Sequence, residues 1–198
     1  MGGKMNKPSS DIAFTSNVKR LQERFGSRGS YAKMEEKGGF KQEITEDLTS
    51  FIQERDSFYL ATATKDGQPY IQHRGGPKGF LRVIDNRTLA FGDFSGNRQY
   101  ISFGNLQEND KVCLFLMDYT QRRRIKVWGT AKVVEDDQQL IEKVTCPSYK
   151  SKPERVFCIH VKAWDINCPQ HINPRFTEAE IETLEICSGC EPNTGDKK

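Results

Sequence analysis

No stretch of the chain approaches the roughly 18 consecutive apolar residues that a membrane-spanning helix needs, and hydrophobic residues make up only 35% of its 198. No membrane partner is expected. Glycine follows no period and no heptad is sustained, which excludes collagen and coiled coil. No unit recurs at the ~20–50-residue spacing of solenoids and propellers. Cysteine is sparse: Cys113, Cys146, Cys158, Cys168, Cys187 and Cys190 are all there are, too few for a disulfide-stapled secreted domain, so free thiols in a reducing compartment are expected. Met1 to Ser10 holds lysines but no apolar segment of a secretory signal, and the cytoplasm is the expected location. Histidine is rarer still, with only His73, His160 and His171 available to ligate an iron.

Aromatic residues are well supplied: 12 Phe, 6 Tyr and 2 Trp need somewhere to pack, which excludes full disorder. The formal net charge of +3 hides an uneven distribution. Phe58 to Val134 carries twelve Lys and Arg against six Asp and Glu, a net +6, and the remainder carries −3. An anionic ligand would find its partner in the middle of the chain. Interspersed acids and the lack of a recognised binding motif fall short of the basic stripe of nucleic-acid binders, so no nucleic-acid partner is expected.

Ile12, Val18, Leu21 and Phe25 lie on one face of an expected helix that Gly26 ends, and the Gly-rich, charged run through Gly39 makes residues 1–44 an N-terminal helical arm. Thr45 is placed to cap a short amphipathic helix carrying Leu48, Phe51 and Ile52. From Phe58 the period becomes two. Phe58 to Thr64, the turn Asp66-Gly67 and Tyr70 to Arg74 form one hairpin; Phe80 to Ile84, the turn Asp85-Asn86-Arg87 and Thr88 to Gly92 form a second. Ser95 is expected to cap a helix reaching Phe103. Lys111 to Met117 reads as a strand buried on both faces. Ile125 to Val134 and Arg155 to Trp164 alternate, with helical Asp136 to Val144 between them. Short turns and no βαβ alternation predict an antiparallel barrel or sandwich over residues 45–176, followed by a helix from Thr177 to Ile186 and a polar tail, residues 177–198.

Three runs carry candidate chemistry. Gln72-His73-Arg74-Gly75-Gly76-Pro77-Lys78-Gly79-Phe80 places glycines inside a strand pattern, the mark of a bulge or of a ligand's close approach, or else of a wide hairpin loop with solvated charges. In Ser95-Gly96-Asn97-Arg98, a helix N-terminus would attract an anion, and Arg98 in its first turn opposes the helix dipole unless a phosphate sits there. Arg122-Arg123-Arg124 marks a turn: Arg122 and Arg123 read as solvated surface, while Arg124 begins a strand and is placed to point inward.

In order and spacing, the Asp-Gly-Gln-Pro hairpin, His-Arg-Gly-Gly, Thr-Leu-Ala-Phe-Gly-Asp, Gly-Asn-Arg, Asn-Leu and Arg-Ile-Lys-Val-Trp-Gly-Thr-Ala runs resemble the pyridoxamine 5'-phosphate oxidase-like FMN-binding split barrels. The resemblance implies a mainly β fold with flanking helices: a six-stranded antiparallel split barrel that forms a homodimer with FMN in clefts at the subunit interface. It places His73, Arg74, Gly75 and Gly76 along the flavin, Phe91 and Gly92 beside it, Asn97 and Arg98 at the phosphate, and Arg124 at the ring system or phosphate. Arg74, Arg98 and Arg124 would then surround one anion, for which guanidinium forks are suited. The implied function is that of a flavoprotein, an FMN-dependent oxidoreductase on a small molecule, with NAD(P)H as a candidate electron donor.

The C-terminal part departs from authentic pyridoxamine phosphate oxidases, whose closing Trp and Arg-Leu units are replaced by Trp164 to Ile172 and Pro174-Arg175-Phe176. That speaks against vitamin B6 oxidation and for the broader branch of the family. Lys78, Cys168 and His171 are candidates for the substrate side, with a proline-held turn as the plainer reading of the last two. Cys168-x2-His171 and Cys187-x2-Cys190 match the spacing of a small zinc site, but the regular helix between them argues against a metal. No catalytic acid or base is assigned. A non-catalytic, haem-binding or deazaflavin-binding member of the same fold stands as the alternative.

Overall fold

The period-two pattern becomes seven antiparallel strands in the computed structural model, which describes residues 7–147, 149–167 and 169–188. The strands are β1 (Ser57–Ala63), β2 (Pro69–Gly75), β3 (Arg82–Asp85), β4 (Thr88–Phe94), β5 (Lys111–Asp118), β6 (Arg123–Val134) and β7 (Pro153–Asn167). They form one sheet in the order β2-β1-β5-β6-β7-β4-β3. The sheet has seven strands where six were implied, because the short β3 completes a hairpin with β4, and its backbone hydrogen bonding does not close: β2 and β3 are its ends.

Turn chemistry sets the register. Gly67 takes φ +90° in the β1–β2 hairpin, where its N–H donates to the Thr64 carbonyl. At the β3–β4 turn the Asp85 carboxylate accepts from the Arg87 N–H at 2.7 Å, a bond that holds the Asp85 pKa below its usual range. Between β6 and β7 the register shifts at Trp128/Gly129, where the strands come too close for a side chain.

One face of the curled sheet is the core. Leu60, Leu114, Leu116, Ile125, Val127, Phe157 and Ile159 are all but inaccessible. Helix α3 (Glu46–Gln53) closes one end; Thr45 caps it by accepting from the Leu48 N–H at 3.3 Å, and Leu48, Phe51 and Ile52 are buried. Each such side chain contributes about 1.5–3 kcal/mol of hydrophobic stabilisation. Strand β5 corrects an expectation: it is not buried on both faces. Val112, Leu114, Leu116 and Asp118 are buried, and Cys113, Phe115 and Met117 are only half-buried, because no layer covers that part of the opposite face.

The arm is more helical than its composition suggests. After a 3₁₀ turn, α1 (Ser16–Arg24) and α2 (Arg28–Glu36) pair through Lys19, bound to Glu35, and through Arg28, which donates to the Gln22 side chain at 3.0 Å and also binds Glu35 within α2. Glu35 therefore titrates below the usual carboxylate range, through the Arg28 hydrogen bond above all. Phe40 lies parallel on Trp128 with centroids 5.2 Å apart, so the arm covers part of the outer face. Leu21 and Phe25, expected on a packed stripe, are exposed. Among the described residues three further helices follow: α4 (Ile101–Glu108), α5 (Gln138–Val144) and α6 (Glu178–Ser188). Among the described residues no helix is long and apolar enough to cross a membrane.

A β-carbon at Gly129 would lie 2.3 Å from the His160 carbonyl oxygen, and both atoms are fixed by backbone pairing. Gly129→Ala is expected to destabilise the fold by about 1–3 kcal/mol, read as a lowered urea midpoint. An unchanged midpoint would contradict the bulge geometry.

Candidate functional site

Strands β2 and β4 are far apart in the hydrogen-bonding order, yet curling of the sheet brings them face to face across its split. Arg74 on β2 reaches over that gap to Asp93 on β4, with Nη1 2.8 Å from Oδ1. The other carboxylate oxygen of Asp93 is 2.9 Å from Nη1 of Arg155, its direct register partner on β7. One carboxylate thus serves two guanidinium groups. Arg74 lies over the rings of Phe91 and Phe157, and Arg155 lies against Tyr100 and Phe103, so both cations are partly desolvated on aromatic faces. Burial alone would lower the Arg155 pKa; its partners, Asp93 foremost, outweigh that and raise it.

These groups line a cleft of about 270 Å³ with Tyr70, Gln72, Asn97, Arg98 and Ser102. Helix α4 is held at its edge by polar bonds: Ser102 donates to the Gln72 side chain at 3.1 Å, and Asn105 donates to Thr62 at 3.0 Å. The Nε of Arg74 is buried with no hydrogen-bond partner, whereas Arg155, besides Asp93, pairs with Glu154 at 3.2 Å and has its Nε 3.6 Å from Glu135. Arg98 is exposed and has no ion pair among the described residues. The cleft therefore offers an anion the unsatisfied donor of Arg74 and the uncommitted charge of Arg98.

The expected helix start at Ser95 is corrected. Helix α4 begins at Ile101, and Arg98 and Tyr100 adopt φ of +55° and +53°. The Asn97 side chain accepts from the Gln99 N–H at 3.3 Å, so the Ser-Gly-Asn run makes a turn rather than a first helical turn. Arg98 meets no opposing helix dipole; it reaches the cleft from a loop.

The remaining candidates are dispersed. Phe91 is wholly buried, stacked on Phe157 at 5.0 Å, so Arg74 lies between it and the cleft. Gly92 lies under Pro153, and Gly76 leaves room for the Phe80 ring, 2.7 Å from where a β-carbon would stand. His73 and Gly75 are on the outer side of β2, with His73 edge-on to Tyr59. Lys78 is exposed, 3.6 Å from Glu54. Arg124 does not point inward: parity puts Arg123 on the side of buried Ile125, and Arg124 on the outer side with Lys126 and Trp128. It joins His171, Tyr119 and Arg175 in a separate pocket of about 290 Å³. One chain therefore brings Arg74, Asn97 and Arg98 together, and Arg124 with His171, but does not join the two groups. Cys168 and Cys190 lie outside the described residues, as does the Cys187 side chain. Among the described residues no group of three or more His, Cys, Asp or Glu is placed to hold a metal.

Arg155 was missing from the sequence candidates. Its signal was present: it is an arginine in phase with core-facing Phe157 and Ile159 of the same strand.

Comparison with known proteins follows the geometry. A family model described as pyridoxamine 5'-phosphate oxidase matches residues 44–168, more than half of the chain. Among solved structures, HupZ of Group A Streptococcus aligns with a TM-score of 0.51 at 19% identity, covering 67% of this chain and 99% of that one. A protein from Lactobacillus delbrueckii described as a putative pyridoxamine 5'-phosphate oxidase aligns with a TM-score of 0.50 at 23% identity, covering 63% and 95%. At these identities the likeness is one of fold. No curated protein matches.

Removing the shared carboxylate tests the clasp. Asp93→Asn takes the carboxylate from Arg74 and one of three from Arg155, which keeps Glu154 and Glu135, and is expected to cost roughly 3 kcal/mol of stability. Added inorganic phosphate should restore more thermal stability to the variant than it adds to the wild type. Equal stability of the two proteins would show that Asp93 does not hold the split.

Proposed function

Because the chain belongs to the pyridoxamine 5'-phosphate oxidase family, we propose that it is a flavoprotein that binds FMN in the Arg74–Arg155 cleft and acts as an oxidoreductase on a small molecule. The observation that carries this reading is the buried Nε of Arg74, which has no hydrogen-bond partner beside Asp93, with Arg98 uncommitted at the rim. Arg74, Arg155 and Arg98 would hold the phosphate. Asn97, Gln72 and Ser102 offer polar contacts for the ribityl chain.

Bound flavin supplies two-electron redox chemistry that no side chain here provides. The protein's own part is positional. Asp93 fixes the two guanidinium forks, the Phe91 and Phe157 rings keep water from beneath Arg74, and α4 walls the cleft.

A homodimer belongs to the same reading. Ligand pockets commonly span about 300–1,000 Å³, and neither the 270 Å³ cleft nor the 290 Å³ Arg124 pocket reaches the middle of that range alone. The outer face beside the second pocket exposes Tyr59 and Ile71 and half-exposes Phe115 and Met117. Pairing two copies through that face would cover apolar surface and set the Arg124 and His171 pocket of one protomer against the cleft of its partner. NAD(P)H is the proposed electron donor.

The purified protein is expected to be yellow, or to become so on adding FMN, and to release FMN on denaturation. Arg98→Ala and Arg155→Ala should each weaken FMN by roughly 1.5–3 kcal/mol, the value of a charge-assisted hydrogen bond. A colourless protein that takes up no FMN, or one showing a Soret band, would overturn the assignment.

A further inference from the structure

We propose that the cleft between α3 and the turn joining β5 to β6 is a second binding site, for a small organic anion with an apolar body such as an aromatic carboxylate. The cleft holds about 450 Å³ and shares no lining residue with the Arg74–Arg155 cleft. Its apolar surface comes from Leu48 and Phe51 on α3 and from Ile125, Trp164 and Ile166 on the sheet, and charged residues line the rest.

The charges around it balance in number, but only Arg55 and Asp118 pair with each other. Lys41, Arg55 and Arg123 face it, as do Asp47, Glu54 and Asp118. Asp118 is buried and fully committed: one oxygen accepts from the Gln121 N–H at 2.8 Å and the other pairs with Arg55 at 2.9 Å. Although Arg123 is the register partner of Asp118, its guanidinium lies on the Phe51 ring and makes no ion pair with that carboxylate. Glu54 lies 3.6 Å from Lys78, and Asp47 is exposed in the first turn of α3, where the helix dipole favours it.

Two cations are left over. The Arg123 guanidinium sits 5.2 Å from the Phe51 ring centre, and the Lys41 ammonium sits 4.8 Å from that of Trp164. Among the described residues neither side chain makes an ion pair or a hydrogen bond. Resting on ring faces restrains both groups in the cleft and leaves their N–H donors unsatisfied by protein. A carboxylate between them would accept those hydrogen bonds, and its apolar body would cover Ile166, which is 44% exposed. A neutral ligand would gain only the second of these contributions, so the site discriminates by charge.

Trp164 donates its indole N–H to the Glu43 carbonyl at 2.8 Å and lines this cleft, which makes its proton resonance a local reporter. Trp128, stacked on Phe40, is the internal reference. Titration of the full chain with 2-naphthoate should give a saturable shift of the Trp164 resonance and leave Trp128 unmoved. Neutral 2-naphthylmethanol should give no comparable shift. Arg123→Gln and Lys41→Gln should each weaken 2-naphthoate roughly tenfold, as expected for one charge-assisted hydrogen bond. Arg98→Gln, in the other cleft, should leave the titration unchanged. The proposal is overturned by an absent or non-saturable shift, by equal shifts from the alcohol, by parallel movement of both tryptophans, or by indifference to both Arg123→Gln and Lys41→Gln. FMN uptake is read separately by absorbance, so failure of either assignment leaves the other standing.

Discussion

Asp93 closes a gap that backbone hydrogen bonds leave open. The sheet ends at β2 and β3, and curling brings β2 against β4 with no ladder between them. The carboxylate spans the split by taking Arg74 from one side and Arg155 from the other. A buried pair of this kind adds little net stability, because desolvation opposes the Coulomb gain. Its value is in what it fixes: two guanidinium forks, held on aromatic faces, at the mouth of a cleft. Arg155 is balanced further by Glu154 and Glu135, which leaves Arg98 as the uncommitted charge for a ligand. Aromatic packing below it, from Phe58 and Phe80 through Phe91 to Phe157, fills the interior that the clasp encloses.

The same parity that builds the core divides the functional residues. Along β6, Arg123 shares a side with Ile125 and Val127, while Arg124 shares the other with Lys126 and Trp128. Two adjacent arginines therefore serve different surfaces, one beside α3 and one on the outer face. The outer face is apolar where the arm leaves it bare and is covered where Phe40 lies on Trp128. An antiparallel sheet tolerates one solvated face, but Tyr59, Ile71, Phe115 and Met117 are not the residues of a solvated face. The proposed second copy on that face would account for them and for the separation of Arg124 from Arg74 and Arg98.

The sequence was legible where local rules decide. Asp66-Gly67 and Asp85-Asn86-Arg87 are turns as read, Thr45 caps its helix, and Gly26 ends α1 at φ +77°. It was less legible where tertiary context decides. Ser95 has the chemistry of a cap, but the turn made by Asn97 and the left-handed Tyr100 delay the helix to Ile101. Lys111 to Met117 is apolar throughout, and only the structure shows which half of it lacks a covering layer. The charged stretch after Gly26 is helical because Glu35 gathers Lys19 and Arg28, a pairing no periodicity reveals. Arg155 belongs to no glycine-rich or arginine-rich run, and its only local signal is a charge in phase with the core. That Asp93 would face both Arg74 and Arg155 depends on how the sheet curls, which the chain does not state locally.

The most direct test asks whether one FMN site is built from two chains. Arg98→Ala disables the cleft and Arg124→Ala disables the facing pocket, and each variant alone should bind FMN poorly. On mixing, unfolding and refolding the two together, random pairing in a two-fold dimer should return intact affinity to about a quarter of the sites. That recovery, absent from either variant refolded alone, is the predicted result. Binding that stays as weak in the mixture as in the separate variants would contradict a shared site, and undiminished binding by Arg124→Ala alone would place the whole cofactor within one chain.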